Sequence, residues 1–181
     1  MKLELLAPAG SYDKLKTAFY FGADAAYIGG KSFSLRSFAD NFGGDEIVSA
    51  VKLAKSLGKK IYVTVNIFAS NADFGALSEY FKFLYSANVD AVILSDPGII
   101  DICRKNVPDL PIHISTQANT TNKYAAKFWA DVGAKRIILA RELSLGDIKE
   151  IRDFLPDDIE LEAFCHGAMC ISMSGRCLLS D

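Results

Sequence analysis

The sequence has no apolar run approaching the ~18 residues that a helix needs to cross a bilayer. Its opening, Met1-Lys2-Leu3-Glu4, leads into a strand pattern instead of a signal peptide. Both absences lead us to expect a cytoplasmic protein with no membrane partner. Basic residues are not in excess either: 20 Lys and Arg stand against 22 Asp and Glu, for a formal net charge of -2. The total charge therefore carries no electrostatic footprint for nucleic acid. Lys59, Lys60, Lys123, Lys127, Lys135 and Arg136 are candidates for a local basic patch, but read more simply as solvated helix ends and loops. H-E-x-x-H and G-x-S-x-G are both missing, which removes the motif-based case for a zinc or serine hydrolase. No G-x-G-x-x-G follows the first strand pattern; Pro8-Ala9-Gly10-Ser11 stands there, so a dinucleotide-binding fold loses support. Linkers, low-complexity stretches and close repeats are absent as well.

What is present is a chain of 181 residues, 50% hydrophobic and 23% charged, enough for one globular domain with a large core. Short apolar, often β-branched runs recur at 3–7, 25–28, 60–67, 91–95, 112–116, 136–140 and 160–164. They suit strands buried on both faces. Amphipathic stretches alternate with them at 12–21, 45–57, 74–86, 98–105, 124–132 and 145–154. Ile47, Val51, Ala54 and Leu57 have the three-and-four spacing of a helix packed by one face. Gly22, Gly58 and Gly133 sit where helices should end before the next strand. Strict alternation implies right-handed parallel crossovers and an α/β architecture, either a (β/α) barrel or an open doubly wound sheet.

Ser11, Arg36, Asn66, Asp96, Gln117, Asn119, Arg141, Glu142 and His166 each fall at, or just beyond, the C-terminal end of a strand pattern. In a parallel barrel that face carries the active site. Helix capping explains Ser11, Asp96 and Asn119 equally well. Arg36, Arg141 and Arg176 can present planar forks to carboxylates or phosphates. An internal Arg141-Glu142 ion pair that shapes the mouth is the competing reading. His113, inside a strand pattern, reads as structural. Three of the four cysteines fall between Cys165 and Cys177. That crowding fits metal ligation in a reducing compartment better than a disulfide framework. Cys170 and Cys177, with Cys165 and His166 nearby, can ligate an iron–sulfur cluster or zinc, or stand as inert thiols. Adjacent Cys165 and His166 cannot easily face one ion from an extended strand. A cysteine nucleophile activated by His166 is a further alternative. Cys103 reads as a small buried hydrophobe.

The terminal segment runs E-A-F-C-H-G-A-M-C-I-S-M-S-G-R-C-L-L-S from Glu162 to Ser180. Glu162, Phe164, Gly167, Ala168, Met169, Cys170, Gly175, Cys177, Leu179 and Ser180 stand in the register of the signature of the collagenase-like peptidase family U32, which the chain resembles. L-L-A-P-A-G from Leu5, G-A-D-A-A-Y-I-G-G from Gly22, S-L-R from Ser34, V-T-V-N from Val63, S-D-P-G from Ser95, H-I-S-T-Q-A-N from His113 and A-R-E-L-S from Ala140 also resemble that family's blocks. S-D-P-G, K-F-W, R-E-L-S-L and S-G-R-C-L-L-S are most similar to its tRNA-hydroxylating branch.

The resemblance implies an incomplete TIM-type (β/α) barrel of seven parallel strands and six helices, with 1–181 as one truncated domain. The barrel-closing part would lie beyond Asp181. It implies hydroxylation of carbon 5 of wobble uridine in tRNA, with prephenate as hydroxyl source and a 4Fe-4S iron–sulfur cluster. Cys170 and Cys177 would be two of four cluster ligands, the others lying after residue 181. The candidate catalytic residues are His166, Glu162, Gln117 and Asn66. Those for substrate are Arg36, Arg141, Arg176 and Asn119, since prephenate carries two carboxylates. The alternatives are a collagenase-like peptidase, hydroxylation of ribosomal RNA or a quinone, and a noncatalytic module that pairs through an open barrel edge or oligomerises.

Overall fold

A computed structural model describes residues 3–34, 41–167 and 169–174. Each apolar run becomes a strand and each amphipathic run a helix. In chain order these are β1 (Leu6–Pro8), α1 (Tyr12–Tyr20), β2 (Ala25–Gly29), α2 (Gly44–Ser56), β3 (Lys60–Val65), α3 (Phe74–Ser86), β4 (Ala91–Leu94), α4 (Pro97–Asn106), β5 (Ile112–Ile114), α5 (Lys123–Asp131), β6 (Arg136–Ile138), α6 (Leu145–Phe154) and β7 (Glu160–Glu162). A 3-10 turn, Thr116–Ala118, follows β5.

The local causes are visible in α2. Its spacing buries Ile47, Ala50, Val51 and Ala54 on one face. Asp45 and Glu46 occupy the first turn and Lys55 the last, as the helix dipole favours, and the Glu46 carboxylate accepts the Gly43 N–H at 2.7 Å. Beyond the helix ends, Gly22, Gly58 and Gly133 take φ of 101°, 64° and 93°, a conformation that costs glycine little.

The strands form one parallel sheet in sequence order, β1 through β7. Along β3, Ile61, Val63 and Val65 face the helices, while Tyr62 faces the opposite way with Ala25, Ala91, Ile93 and Ile138. The sheet thus has two apolar faces, and the second must be enclosed by curling. An ion pair demonstrates the curl. In a flat sheet β1 and β6 would lie about 24 Å apart. Yet Arg136 at the start of β6 reaches Glu4, just ahead of β1, at 2.7 Å. The seven strands form an incomplete barrel with six α-helices outside it.

That contact corrects two sequence expectations. The first strand begins at Leu6 instead of residue 3, because Glu4 turns inward to Arg136 while Leu3 and Leu5 stay exposed. Arg136 is not a solvated helix end; it is buried. Its guanidinium meets Glu160 at 2.7 Å and Glu162 at 3.3 Å and lies 5.2 Å from the centre of the Tyr62 ring. The Tyr62 hydroxyl and Lys60 both donate to Glu4 at 2.8 Å. Burial alone would raise the Glu4 carboxyl, but the bonds from Arg136, Lys60 and Tyr62 outweigh it and hold its pKa down at about 2. Lys60, Arg136 and Glu160 open their strands, so this network sits at the N-terminal end of the barrel, the end that serves stability. Among the described residues no helix is long and apolar enough to cross a membrane.

Candidate functional site

The C-terminal ends of the strands gather most of the polar residues singled out above. Two of them act as caps. The Ser11 hydroxyl accepts the Lys14 N–H at 3.4 Å at the start of α1, and the Asp96 carboxylate accepts the Ile99 N–H at 3.0 Å at the start of α4. Asn119 is not an N-cap; that role at α5 falls to Asn122. It closes the 3-10 turn with φ 52°, a left-handed conformation that asparagine tolerates better than most residues. Asn66 directly follows β3 and is half-buried.

The turn after β5 concentrates unmet hydrogen-bonding capacity. The Ser115 hydroxyl accepts the Gln117 N–H at 3.3 Å and sets the turn. Gln117 Oε1, Asn119 Oδ1 and Thr120 Oγ1 are then buried with no partner among the described residues. An orphaned buried polar atom costs about 1–3 kcal/mol, so three in one turn mark a place where a ligand group or ordered water belongs. Thr120 was not legible as a site residue from sequence.

At the end of β2, a Cβ on Gly29 would lie 2.8 Å from Ser34 Oγ, and one on Gly30 2.2 Å from the Tyr80 hydroxyl. The Gly-Gly pair is there to admit those side chains. Beside it, Ser11, Tyr12, Lys31, Asn41, Phe42 and Glu46 line a cleft of about 270 Å³.

Arg141 and Glu142, just beyond β6, turn toward the terminal segment. The Arg141 guanidinium donates to the Cys170 carbonyl at 3.2 Å, the Ser172 carbonyl at 2.9 Å and the Ser174 hydroxyl at 3.2 Å. Its backbone N–H reaches the same hydroxyl at 3.1 Å. The Glu142 carboxylate accepts the Ser174 N–H at 2.8 Å. Slight burial acts to raise the Glu142 carboxyl, and the Ser174 bonds hold it below its ordinary value. The Arg141 fork is thus engaged with the terminal segment, and Arg141 and Glu142 each bond to that segment. Its partners lie about thirty residues away in sequence and no local pattern announces them.

Cys165, His166 and Cys170 are exposed, and the Cys170 sulfur accepts the Ser172 N–H at 3.4 Å. Arg36, Arg176 and Cys177 lie outside the described residues. Among the described residues no group of three or more His, Cys, Asp or Glu side chains is placed to hold a metal. The three described members of the zinc reading, Cys165, His166 and Cys170, form no such group, and its fourth, Cys177, lies outside the described residues. An exposed sulfur receiving a backbone N–H fits one ligand position of an iron–sulfur cluster whose other ligands lie elsewhere. Glu162 is half-buried and joined to Arg136; burial raises its carboxyl pKa against the pull of that cation. Cys103 is buried, and burial pushes its thiol up to about 12, as suits an inert core residue.

A parallel β/α sheet curled toward closure, with polar loops at the C-terminal ends of its strands, defines a (β/α)-barrel domain. The chain belongs to peptidase family U32, whose family model matches residues 10–181. It is 51% identical over 180 residues to tRNA hydroxylation protein P1 of Bacillus subtilis (strain 168), a match covering 99% of this chain and 42% of that protein. It is 46% identical over 179 residues to tRNA hydroxylation protein P of Escherichia coli (strain K12), covering 99% and 39% respectively. The chain thus spans about two fifths of the length of these curated relatives. Among solved structures it is similar to the U32 peptidase Mk0906, with a TM-score of 0.75 and 18% identity over 90% of this chain and 68% of that one. At that identity the likeness establishes the fold alone.

Proposed function

We propose that this chain supplies the barrel domain of a cytoplasmic enzyme that hydroxylates tRNA at carbon 5 of wobble uridine, with prephenate as the hydroxyl source. The observation that carries the reading is 51% identity along nearly the whole chain to a protein named for tRNA hydroxylation. The mouth offers fitting chemistry. The buried oxygens of Gln117, Asn119 and Thr120 accept hydrogen bonds from N–H or O–H groups such as those of a pyrimidine ring or a hydroxy acid. Asn66 after β3 and His166 after β7 stand beyond the C-terminal ends of their strands, His166 as the candidate for proton transfer and Asn66 as one for hydrogen bonding, while Glu162, the third catalytic candidate, is joined to Arg136. Arg36 and Arg176 are the candidates for the two carboxylates of prephenate, since the Arg141 fork is engaged with Cys170, Ser172 and Ser174.

Cys170 and Cys177 would hold the 4Fe-4S cluster together with two thiolates from outside this chain. Such a cluster, when bound, supplies electron transfer, a Lewis-acidic iron or structural anchoring. The near-neutral charge of this domain leaves the bulk of the electrostatic attraction for tRNA to surfaces beyond it.

The test is nucleoside mass spectrometry of bulk tRNA from the source cell, with and without the full-length gene and any close paralogue. Loss of 5-hydroxyuridine derivatives, restored by the wild-type gene and not by Cys170→Ala, is the expected result. Unchanged tRNA refutes the reading and turns attention to ribosomal RNA, quinone and peptide substrates in that order.

A further inference from the structure

The described part of the terminal segment lacks an apolar anchor. Phe164, Met169, Ile171 and Met173 are all exposed, Ile171 completely so. From Ala163 onward, Ser174 alone among the described residues is buried, with 2% of its surface exposed. Hydrophobic burial therefore does not fix where this stretch lies. The bonds that fix it are polar, and they converge on two adjacent residues at the end of β6. Arg141 takes hold of the Cys170 and Ser172 carbonyls and the Ser174 hydroxyl, and Glu142 takes the Ser174 N–H. The two carbonyls bracket the turn in which the Ser172 N–H points at the Cys170 sulfur. Fixing the carbonyls fixes that turn, and with it the direction of the thiol.

We propose that Arg141 and Glu142 are positioning residues for Cys170, holding segment 170–174 to the barrel rim so that its sulfur is presented at the mouth. The inference rests on the hydroxylation reading for Cys170 being functional; the hold itself does not. It assigns Arg141 to this chain's own backbone instead of a substrate carboxylate. Lysine cannot substitute, because an ammonium lacks the planar fork that spans three acceptors. Glutamine can replace Glu142, because its amide oxygen still accepts the Ser174 N–H.

The experiment uses the full-length protein and compares Arg141→Lys, Glu142→Ala and Glu142→Gln with wild type. Backbone hydrogen exchange is read by mass spectrometry on peptides covering 170–174, alongside thermal stability and the 5-hydroxyuridine content of cellular tRNA. We expect exchange at 170–174 to quicken by at least about tenfold in Arg141→Lys and Glu142→Ala while the rest of the barrel keeps its protection. Glu142→Gln should match wild type. Hydroxyuridine should fall in the first two variants as it does in Cys170→Ala. Unchanged exchange in both overturns the hold. Faster exchange with full hydroxyuridine overturns the positioning role. If Cys170→Ala itself retains hydroxyuridine, the functional reading of Cys170 fails, and exchange still decides whether the hold exists. Should the Arg141 variant not fold, Ser174→Ala removes the two bonds that Arg141 donates to that hydroxyl, from its side chain and its backbone N–H, and is read in the same way.

Discussion

Acidification should destabilise the barrel through His113, a residue far from the mouth chemistry. His113 lies in β5 with 4% of its surface exposed, its ring 4.6 Å from that of Tyr62, and its Nδ1 buried without a partner among the described residues. Burial, reinforced by the positive charge of Arg136 and Lys60 and only partly opposed by Glu4, lowers its pKa to about 3. In the unfolded chain the same ring titrates near 6.5. The depressed folded value means that the unfolded state binds the proton first as pH falls. Stability is therefore fully present above about pH 6.5 and lost progressively toward pH 3. Each pH unit inside that window costs about 1.4 kcal/mol, so moving from about pH 7.5 to about pH 5 should remove roughly 2 kcal/mol.

Two neighbours titrate in the same region with different signs. Glu4, held at about 2 against an ordinary 4.5, weakens the fold only below about pH 4.5. Glu162, raised by burial, gains a proton in the folded state first and partly offsets His113. A variant isolates the histidine. His113→Phe keeps a ring against Tyr62 and removes both the titration and the orphaned nitrogen. Urea denaturation of both proteins at about pH 7.5, 6 and 5 should show wild type losing about 2 kcal/mol more than the variant. Parallel pH profiles for the two proteins would refute the reasoning.

Other perturbations have equally definite expectations. Arg136→Ala should destabilise by about 3–5 kcal/mol, because it leaves Glu4, Glu160 and Glu162 gathered in the barrel without their shared cation; the shift in urea midpoint measures it. Gly30→Ala should cost about 1–3 kcal/mol, since the new Cβ would lie 2.2 Å from the Tyr80 hydroxyl. That hydroxyl is buried without a partner among the described residues, so Tyr80→Phe should be near neutral alone and should recover part of the loss in the double variant. A double-mutant cycle by thermal unfolding tests both statements.

The alternation of strand and helix is legible in the sequence alone, because hydrophobic period is a local property. The 74–86 and 145–154 stretches become α3 and α6 without a shift, and the remaining elements move by a few residues at their ends. Glycine after a helix was equally legible, since the left-handed turn at Gly22, Gly58 or Gly133 depends on the backbone of one residue. Capping by Ser11 and Asp96 was legible for the same reason. The family was legible because the cysteine segment is a contiguous string of fixed residues.

The partnerships between distant residues come from the folded chain. Arg136 reads as a surface residue because nothing near it in sequence shows that curling the sheet brings Glu4, 132 positions away, to its guanidinium. Arg141 offered a fork without revealing its target, which the chain supplies some thirty residues later as the carbonyls of Cys170 and Ser172. Gln117, Asn119 and Thr120 acquire their unmet oxygens only once the fold buries the turn that follows β5. Periodicity and backbone conformation are written residue by residue. Which charge meets which, and which polar atom is left waiting, depends on how far the sheet curls, and that is a property of all seven strands together.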